Sequence, residues 1–209
     1  MFWIVILAVM MIFLLIVLFL LNFYRDPKRI IPEGSDIVAP ADGKIIRIVK
    51  ISSNNKKNNN KIKIKKPLLG KIETLTNDVG KDCYLISIFM SPFDVHINRA
   101  PIGGVIKKIK YSKGRFFAAY NLKKSLQNEK NEILISNNKI GNVKVIQIAG
   151  FLARKIKCHV REKQNINKGQ KIGAIVLGSQ VSLIIPAKAK LKIRLKDRVK
   201  AGETIIASY

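Results

Sequence analysis

The hydrophobic and polar positions divide the chain into an apolar start and a long remainder of short alternating segments. Residues 1–21 contain no charged side chain. A helix of that length spans about 30 Å, which matches the hydrocarbon core of a bilayer. The first charge is Arg25, and basic residues directly after a span favour keeping that end in the cytoplasm. The pattern predicts a membrane anchor over residues 1–24 and a domain over residues 25–209.

A cleaved signal peptide is the alternative for this apolar start. Such a peptide has a basic beginning, a shorter apolar run and a small-residue cleavage site. The chain begins without Lys or Arg, and its "LLNFYRDP" stretch offers no such site. We therefore expect an anchor that is retained, with Trp3, Phe23 and Tyr24 near its two ends as interfacial aromatic residues.

Beyond the anchor, apolar residues alternate or cluster in the short runs that are typical of strands. The pattern predicts an exposed polar hairpin tip at 52–66 and one short helix at 116–130. It predicts strands over 36–51 with a turn inside, 83–90, 103–114, and a hairpin over 131–151 that turns at Asn137-Asn138.

Proline followed by small residues recurs before strands, as in "APADGKI", "APIGGVI" and "IPAKAKL". Such pieces occur in small β-sandwiches of the barrel-hybrid kind, although ordinary β-turn chemistry explains them equally well. The expected fold class is therefore mainly β, a β-sandwich or barrel-hybrid-like α+β domain preceded by one N-terminal transmembrane helix.

The net charge says little about which molecules the protein binds, and the cysteine content says little about metal binding. The chain carries 39 Lys and Arg against 13 Asp and Glu, a formal charge of +26. This favours anionic partners, although Lys, Asn and Ile are abundant together, as AT-rich coding would produce. Cys83 and Cys158 have no CxxC spacing, so no metal site is expected and both are predicted to be buried apolar residues.

Few residues outside the anchor suggest chemistry by themselves. His96 follows Asp94 by two positions in "SPFDVHINRAP", and in an extended strand the two would share a face. An aspartate beside a histidine can orient the ring and favour its protonated form. A surface pair explains the spacing equally well. Asp42 in "VAPADGKI" is typical of a hairpin turn.

The dipeptide Gly178-Ser179 is unusual because it interrupts apolar strand residues in "IVLGSQVSL". Glycine lets the backbone take conformations closed to other residues. Attack of the serine hydroxyl on the carbonyl carbon of Gly178 would give an ester, then dehydroalanine, and finally a pyruvoyl group. Such a group is an electron sink that forms a Schiff base with an amine. Gly-Ser pairs are common, so the dipeptide alone is a weak signal.

Several motifs in order resemble a known family. They are the N-terminal anchor, "VAPADGKI", "SPFDVHINRAPIGG", "GRFFAAYNLKKSLQNEKNEI", "IQIAGFLARKI" and "KGQKIGAIVLGSQVSLIIP". Together they resemble the short, archaeal-type branch of bacterial phosphatidylserine decarboxylases, over essentially the whole chain after the anchor.

The resemblance implies a proenzyme that cuts itself between Gly178 and Ser179 into a β chain, 1–178, and an α chain, 179–209. The α chain would begin with a pyruvoyl cofactor made from Ser179, without a metal. The two chains would stay together as a heterodimer, which leaves open a higher oligomer. The implied reaction is phosphatidylserine to phosphatidylethanolamine and carbon dioxide through a Schiff base, with His96 as the candidate proton donor.

The resemblance also implies roles for three further residues. Asp42 matches an aspartate of the family and is a candidate for self-cleavage. Asp94 and Arg99 are candidates for substrate binding. Longer members of the family have a second histidine where this chain has Arg99, so the base for self-cleavage stays unassigned.

The expected location is the bacterial inner membrane, with the catalytic domain on the cytoplasmic side against anionic lipid. One alternative is a membrane-anchored, non-enzymatic adaptor module of barrel-hybrid fold. Another is a tethered nucleic-acid binder, which would need aromatic residues interleaved with a basic stripe. We expect no nucleic-acid partner.

Overall fold

The computed structural model describes residues 2–52, 75–114, 128–150, 155–176 and 179–209. Its first element is α1 (Phe2–Phe23), which confirms the predicted helix. The helix is long and apolar enough to cross a membrane, and none of its most apolar stretch is buried against the domain. Phe23, at its last position, is the exception, because this side chain is only 3% exposed.

The rest of the described chain is built from fourteen strands. They are β1 (Ile37–Val38), β2 (Gly43–Ile51), β3 (Cys83–Met90), β4 (Ile97–Arg99), β5 (Gly104–Ser112), β6 (Lys130–Asn137), β7 (Gly141–Ala149), β8 (Ile156–Cys158), β9 (Asn165–Ile166), β10 (Lys171–Ile175), β11 (Ser179–Pro186), β12 (Lys190–Leu191), β13 (Arg198–Val199) and β14 (Ile205–Ser208). The mainly β fold class with one N-terminal apolar helix is confirmed.

An eight-stranded sheet in the order β13-β2-β3-β11-β7-β6-β5-β9 forms the body of the domain. Two three-stranded sheets, β1-β14-β12 and β4-β10-β8, accompany it. Strand β11 lies in the middle of the large sheet and pairs antiparallel with β3 on one side and β7 on the other. The segment that begins at Ser179 is therefore the centre of the largest sheet.

The main core lies on one face of β11. Val181, Leu183 and Ile185 alternate along that face and belong to the main hydrophobic cluster, whereas Ile184 belongs to a smaller cluster on the opposite face. Both faces of the strand are covered, which explains why its second half, Leu183–Ile185, is apolar throughout. Burial of each such side chain contributes about 1.5–3 kcal/mol to folding.

The turn between β1 and β2 depends on glycine. Gly43 has a φ of +146°, and a Cβ at this position would lie 2.1 Å from the carbonyl oxygen of Phe89 on β3. Only glycine allows the backbone of β2 to approach β3 this closely. The chain bends at Asp42 as expected, but β1 and β2 lie in different sheets and do not pair with each other, so the bend is not a hairpin turn.

Most predicted strands are confirmed, including 83–90 to the residue and the 131–151 hairpin with its turn after Asn137. The hairpin tip predicted at 52–66 lies outside the described residues, apart from residue 52. Most of the helix predicted at 116–130 also lies outside them. Its end is wrong, because Lys130 already belongs to β6 and pairs with Ile148.

The prediction that both cysteines are buried is right for Cys83 and wrong for Cys158. Cys158 ends β8, which is an edge strand of its three-stranded sheet. An edge strand has one unpaired side, so its residues face solvent more often than those of a central strand.

Candidate active site

Ser179 is the first residue of β11 and is fully buried. It pairs with Met90 on β3 and with Ala149 on β7. Its hydroxyl donates a hydrogen bond to Met90 Sδ at 3.3 Å. A thioether is a weak acceptor and not a base, so this contact orients the hydroxyl without deprotonating it. Gly178 lies outside the described residues.

A row of buried amides lies behind the Met90 sulfur. Asn98 Nδ2 donates to Met90 Sδ at 3.8 Å, and Gln147 Nε2 donates to Asn98 Oδ1 at 2.8 Å. Asn131 Nδ2 in turn donates to Gln147 Oε1 at 2.9 Å. All three amides are at most 2% exposed. Each link sets the direction of the next, so the row fixes the sulfur that faces Ser179.

A second polar group lies on the opposite face of β11. Gln180 Nε2 donates to Ser182 Oγ at 3.0 Å, and the hydroxyls of Ser182 and Ser87 are 3.3 Å apart. Gln180 Oε1 is buried and has no hydrogen-bond partner among the described residues. Polar side chains therefore flank the beginning of β11 on both faces.

His96 is buried, with 3% of its surface exposed. Its Nδ1 lies 2.8 Å from the backbone carbonyl oxygen of Asp94. Because a carbonyl only accepts, Nδ1 carries the proton and Nε2 keeps its lone pair. Nε2 is buried and has no hydrogen-bond partner among the described residues. The imidazole is thus arranged to accept or pass on a proton at Nε2.

Burial lowers the pKa of His96 below its ordinary value of 6.5. The hydrogen bond to the Asp94 carbonyl and the charge of Asp94 oppose this shift but do not reverse it. Asp94 favours the protonated ring, as expected, but the net shift of the His96 pKa is downward. Loss of hydration of the imidazolium outweighs the neighbouring carboxylate.

The Asp94 carboxylate has other partners. It accepts hydrogen bonds from the backbone N–H and the hydroxyl of Ser91, at 2.8 and 2.7 Å. It also accepts one from Arg198 Nη2 at 2.7 Å. Asp94 lies in a turn rather than in the extended strand that the spacing suggested, so its backbone, and not its carboxylate, orients His96.

Asp42 joins three segments of the chain. Its carboxylate accepts two hydrogen bonds from Arg29 Nη2, at 2.8 and 3.0 Å. It also accepts one from the backbone N–H of Ala201 at 2.7 Å. The Arg29 side chain is 5% exposed. Asp42 therefore connects three parts of the chain, namely the segment after the anchor, the turn before β14 and the turn between β1 and β2.

Arg99 also binds the segment that follows α1, through Asp26. Its Nη2 donates to Asp26 Oδ1 at 2.7 Å, and its Nη1 donates to the carbonyl oxygen of Gly169 at 3.0 Å. Burial alone would raise the pKa of Asp26, but the hydrogen bond from Lys171 and the charges of Arg99 and Lys171 lower it overall. Arg99 thus stands in an ion-pair network.

The backbone brings His96 close to the strand that leads to Ser179. The His96 carbonyl oxygen accepts a hydrogen bond from Ile175 N at 3.3 Å. Among the described residues, no hydrogen bond joins Ser179 to His96 or to Asp42. That part of the chain also contains no group of three or more His, Cys, Asp or Glu side chains that could hold a metal ion.

Comparison with known proteins gives a consistent match. The family model described as phosphatidylserine decarboxylase matches residues 16–207. A protein of Pelodictyon phaeoclathratiforme named phosphatidylserine decarboxylase proenzyme is 40% identical over 93% of this chain and 81% of its own length. A protein of Methanocaldococcus jannaschii, provisionally named archaetidylserine decarboxylase proenzyme, is 42% identical over 92% of this chain and 90% of its own length.

Proposed function

The chain belongs to the phosphatidylserine decarboxylase family, and we propose that it decarboxylates a phospholipid with a serine head group. It is a decarboxylase of the proenzyme kind. The substrate we propose is phosphatidylserine, with phosphatidylethanolamine and carbon dioxide as products. The observation that carries this proposal is Ser179, a buried hydroxyl at the first position of the central strand.

Maturation proceeds by cleavage between Gly178 and Ser179. The Ser179 hydroxyl oxygen attacks the carbonyl carbon of Gly178, and the acyl group moves from nitrogen to oxygen while the nitrogen takes the hydroxyl proton. Loss of the Ser179 α-hydrogen and breakage of the Cβ–O bond release residues 1–178 with a free carboxylate. Hydrolysis of the resulting dehydroalanine frees ammonia and leaves a pyruvoyl group at the start of residues 179–209.

The two products stay associated because the small chain is interleaved with the large one. Its strand β11 lies between β3 and β7, and its β13 and β14 pair with β2 and β1. Separation would break these ladders and expose the core face of β11. The mature form is a heterodimer of residues 1–178 and 179–209.

The surroundings of Ser179 fit a group that must be shielded from water. The position is fully buried, and the row of amides behind Met90 fixes the sulfur that lies against Ser179. A pyruvoyl group at this position supplies a ketone that condenses with a primary amine and withdraws electrons as the carboxylate leaves. Neither step requires a metal ion.

His96 moves protons during the reaction. The serine head group arrives as an ammonium and must lose a proton before its nitrogen can attack a carbonyl. The lone pair of His96 Nε2 accepts this proton, because the ring is neutral and Nδ1 is occupied by the Asp94 carbonyl. The protonated ring then returns a proton to the former α-carbon after carbon dioxide has left.

Helix α1 holds the domain at the membrane that contains the substrate. The helix is long and apolar enough to span it. The basic residues after α1, together with the formal charge of +26, favour an anionic leaflet. This supports a place in the bacterial inner membrane with residues 25–209 on the cytoplasmic side. The adaptor and nucleic-acid alternatives offer no account of Gly178-Ser179.

Carbon dioxide release tests this function directly. Purified full-length protein is added to vesicles that contain phosphatidylserine labelled in its serine carboxyl carbon. We expect labelled carbon dioxide and an equal amount of phosphatidylethanolamine, and no release from free phosphoserine, which lacks the lipid. Absence of release from phosphatidylserine and from an ether-linked serine lipid alike would overturn the proposal.

A further inference from the structure

The last turn of α1 packs directly on His96. The rings of Phe23 and His96 have centroids 4.1 Å apart and an interplanar angle of 33°. Phe23 is 3% exposed, whereas Phe13, earlier on the same helix, is 67% exposed. An anchor that served only as a tether would have no reason to bury its final side chain in the domain.

The helix end and the loop that carries His96 are also joined beyond this stack. Arg25 Nη1 donates to Asn22 at the end of α1, and Arg25 Nη2 donates to the carbonyl oxygen of Phe93 at 2.8 Å. Phe93 also packs edge-on against Phe19, with ring centroids 6.4 Å apart. These contacts hold the helix end and residues 91–96 in one arrangement.

The two neighbours of the imidazole restrict it in different ways. The hydrogen bond from Nδ1 to the Asp94 carbonyl sets which nitrogen carries the proton. The Phe23 ring covers one face of the imidazole, and this hinders a flip that would exchange the ring positions. It also excludes water from that face. Nε2 is left buried and without a partner among the described residues.

On the basis of the proposed function, the geometry points to Phe23 as a positioning residue that makes the membrane anchor part of the active site. Phe23 acts through His96. It holds the neutral imidazole with Nε2 toward the reacting head group and keeps water from the ring. The anchor therefore takes part in turnover and cannot be exchanged for an unrelated membrane helix without loss of rate.

Few charged groups act on His96, so a change in its pKa on substitution of Phe23 can be attributed to the loss of the phenyl ring. Asp94 and Asp42 favour the charged ring, and Arg25 disfavours it. None of these groups is altered by a change at Phe23. Removal of the phenyl ring admits water to the imidazole, so the pKa of His96 should rise toward its ordinary value.

The experiment compares Phe23→Ala and Phe23→Leu with Phe13→Ala, all in the full chain in lipid vesicles. The chain contains two histidines, so the exposed His159 serves as the reference signal when His96 is titrated by NMR. We expect Phe23→Ala to mature normally, to lose about tenfold in kcat with little change in KM, and to show a raised pKa of His96. The acid limb of its pH–rate profile should move to higher pH by the same amount.

Phe23→Leu keeps an apolar side chain at this position and should fall between Phe23→Ala and the wild type. Phe13→Ala should match the wild type in every measurement. The inference is overturned if Phe23→Ala and Phe23→Leu keep both the wild-type kcat and the wild-type pKa of His96, or if Phe13→Ala loses as much. The titration does not depend on the substrate, so it tests Phe23 even if the wild type releases no carbon dioxide from phosphatidylserine.

Discussion

The hydroxyl of Ser179 on β11 donates a hydrogen bond to the sulfur of Met90 on the neighbouring strand β3, at a distance of 3.3 Å. The sulfur is itself fixed by Asn98. A thioether holds the hydroxyl in one direction and leaves its proton in place. The precursor is thus oriented for cleavage without being activated, and this relationship leads to the first prediction.

Met90→Leu should slow self-cleavage by up to about tenfold, because loss of a hydrogen bond worth about 1 kcal/mol lets the hydroxyl rotate. Leucine has a similar volume, so the fold should be kept. The measurement is the fraction of uncut precursor against time after synthesis. Met10→Leu, at an exposed position of α1, is the matched control. Maturation of Met90→Leu at the wild-type rate would show that the sulfur has no orienting role.

His96→Gln should separate maturation from turnover. We expect the variant to be cut at least in part, because no hydrogen bond among the described residues joins His96 to Ser179, while kcat should fall by about 10²-fold or more. Mass analysis of the chains and carbon dioxide release from the same preparation check this. The exposed His159 provides the control substitution, His159→Gln. An uncut His96→Gln chain would instead place His96 in self-cleavage.

The lowered pKa of His96 predicts a pH dependence of stability. Because the folded protein binds this proton less readily than the unfolded chain, His96 costs stability as the pH falls below about 6.5. Above that pH both states have a neutral ring and the cost is absent. The drop in Tm between pH 7.5 and pH 5 should therefore be smaller in His96→Gln than in the wild type. Equal drops in both proteins would contradict the burial argument.

Asp42→Asn and Arg29→Gln test whether Asp42 acts in self-cleavage or fastens the chain. Each removes one partner of a buried ion pair and should destabilise the fold by about 3 kcal/mol, which denaturant unfolding measures. If Asp42 only fastens the segments, both variants should slow self-cleavage to a similar degree. Blocked cleavage in Asp42→Asn together with normal cleavage in Arg29→Gln would place the carboxylate in the chemistry instead.

The strands could be predicted where local pattern decides the structure. Residues 83–90 are apolar except for Ser87 because β3 is a central strand of the large sheet and its two faces belong to two hydrophobic clusters. The hairpin of β6 and β7 has its polar turn where the sequence predicts it. In contrast, Cys158 is exposed because β8 has a neighbouring strand on one side only. The order of strands in a sheet cannot be predicted from the local sequence of β8.

The site was only partly predictable for the same reason. The motif identified Ser179 and His96, but the contacts around them join segments that are distant in sequence. Gln147 interrupts the apolar strand β7, and this signal, a single amide between isoleucines, could have indicated a buried hydrogen bond. Nothing in the local sequence indicated that the ring of Phe23, expected at the bilayer interface, packs on His96.

A mass spectrum of the purified protein under denaturing conditions decides whether this chain breaks its own backbone to make a ketone. We predict two chains, residues 1–178 and residues 179–209, with a pyruvoyl group in place of the serine at the start of the smaller one. Ser179→Ala should give only the uncut chain and no carbon dioxide. A wild-type protein that stays a single chain with an unmodified serine at position 179 would show that neither the cleavage nor the pyruvoyl group occurs.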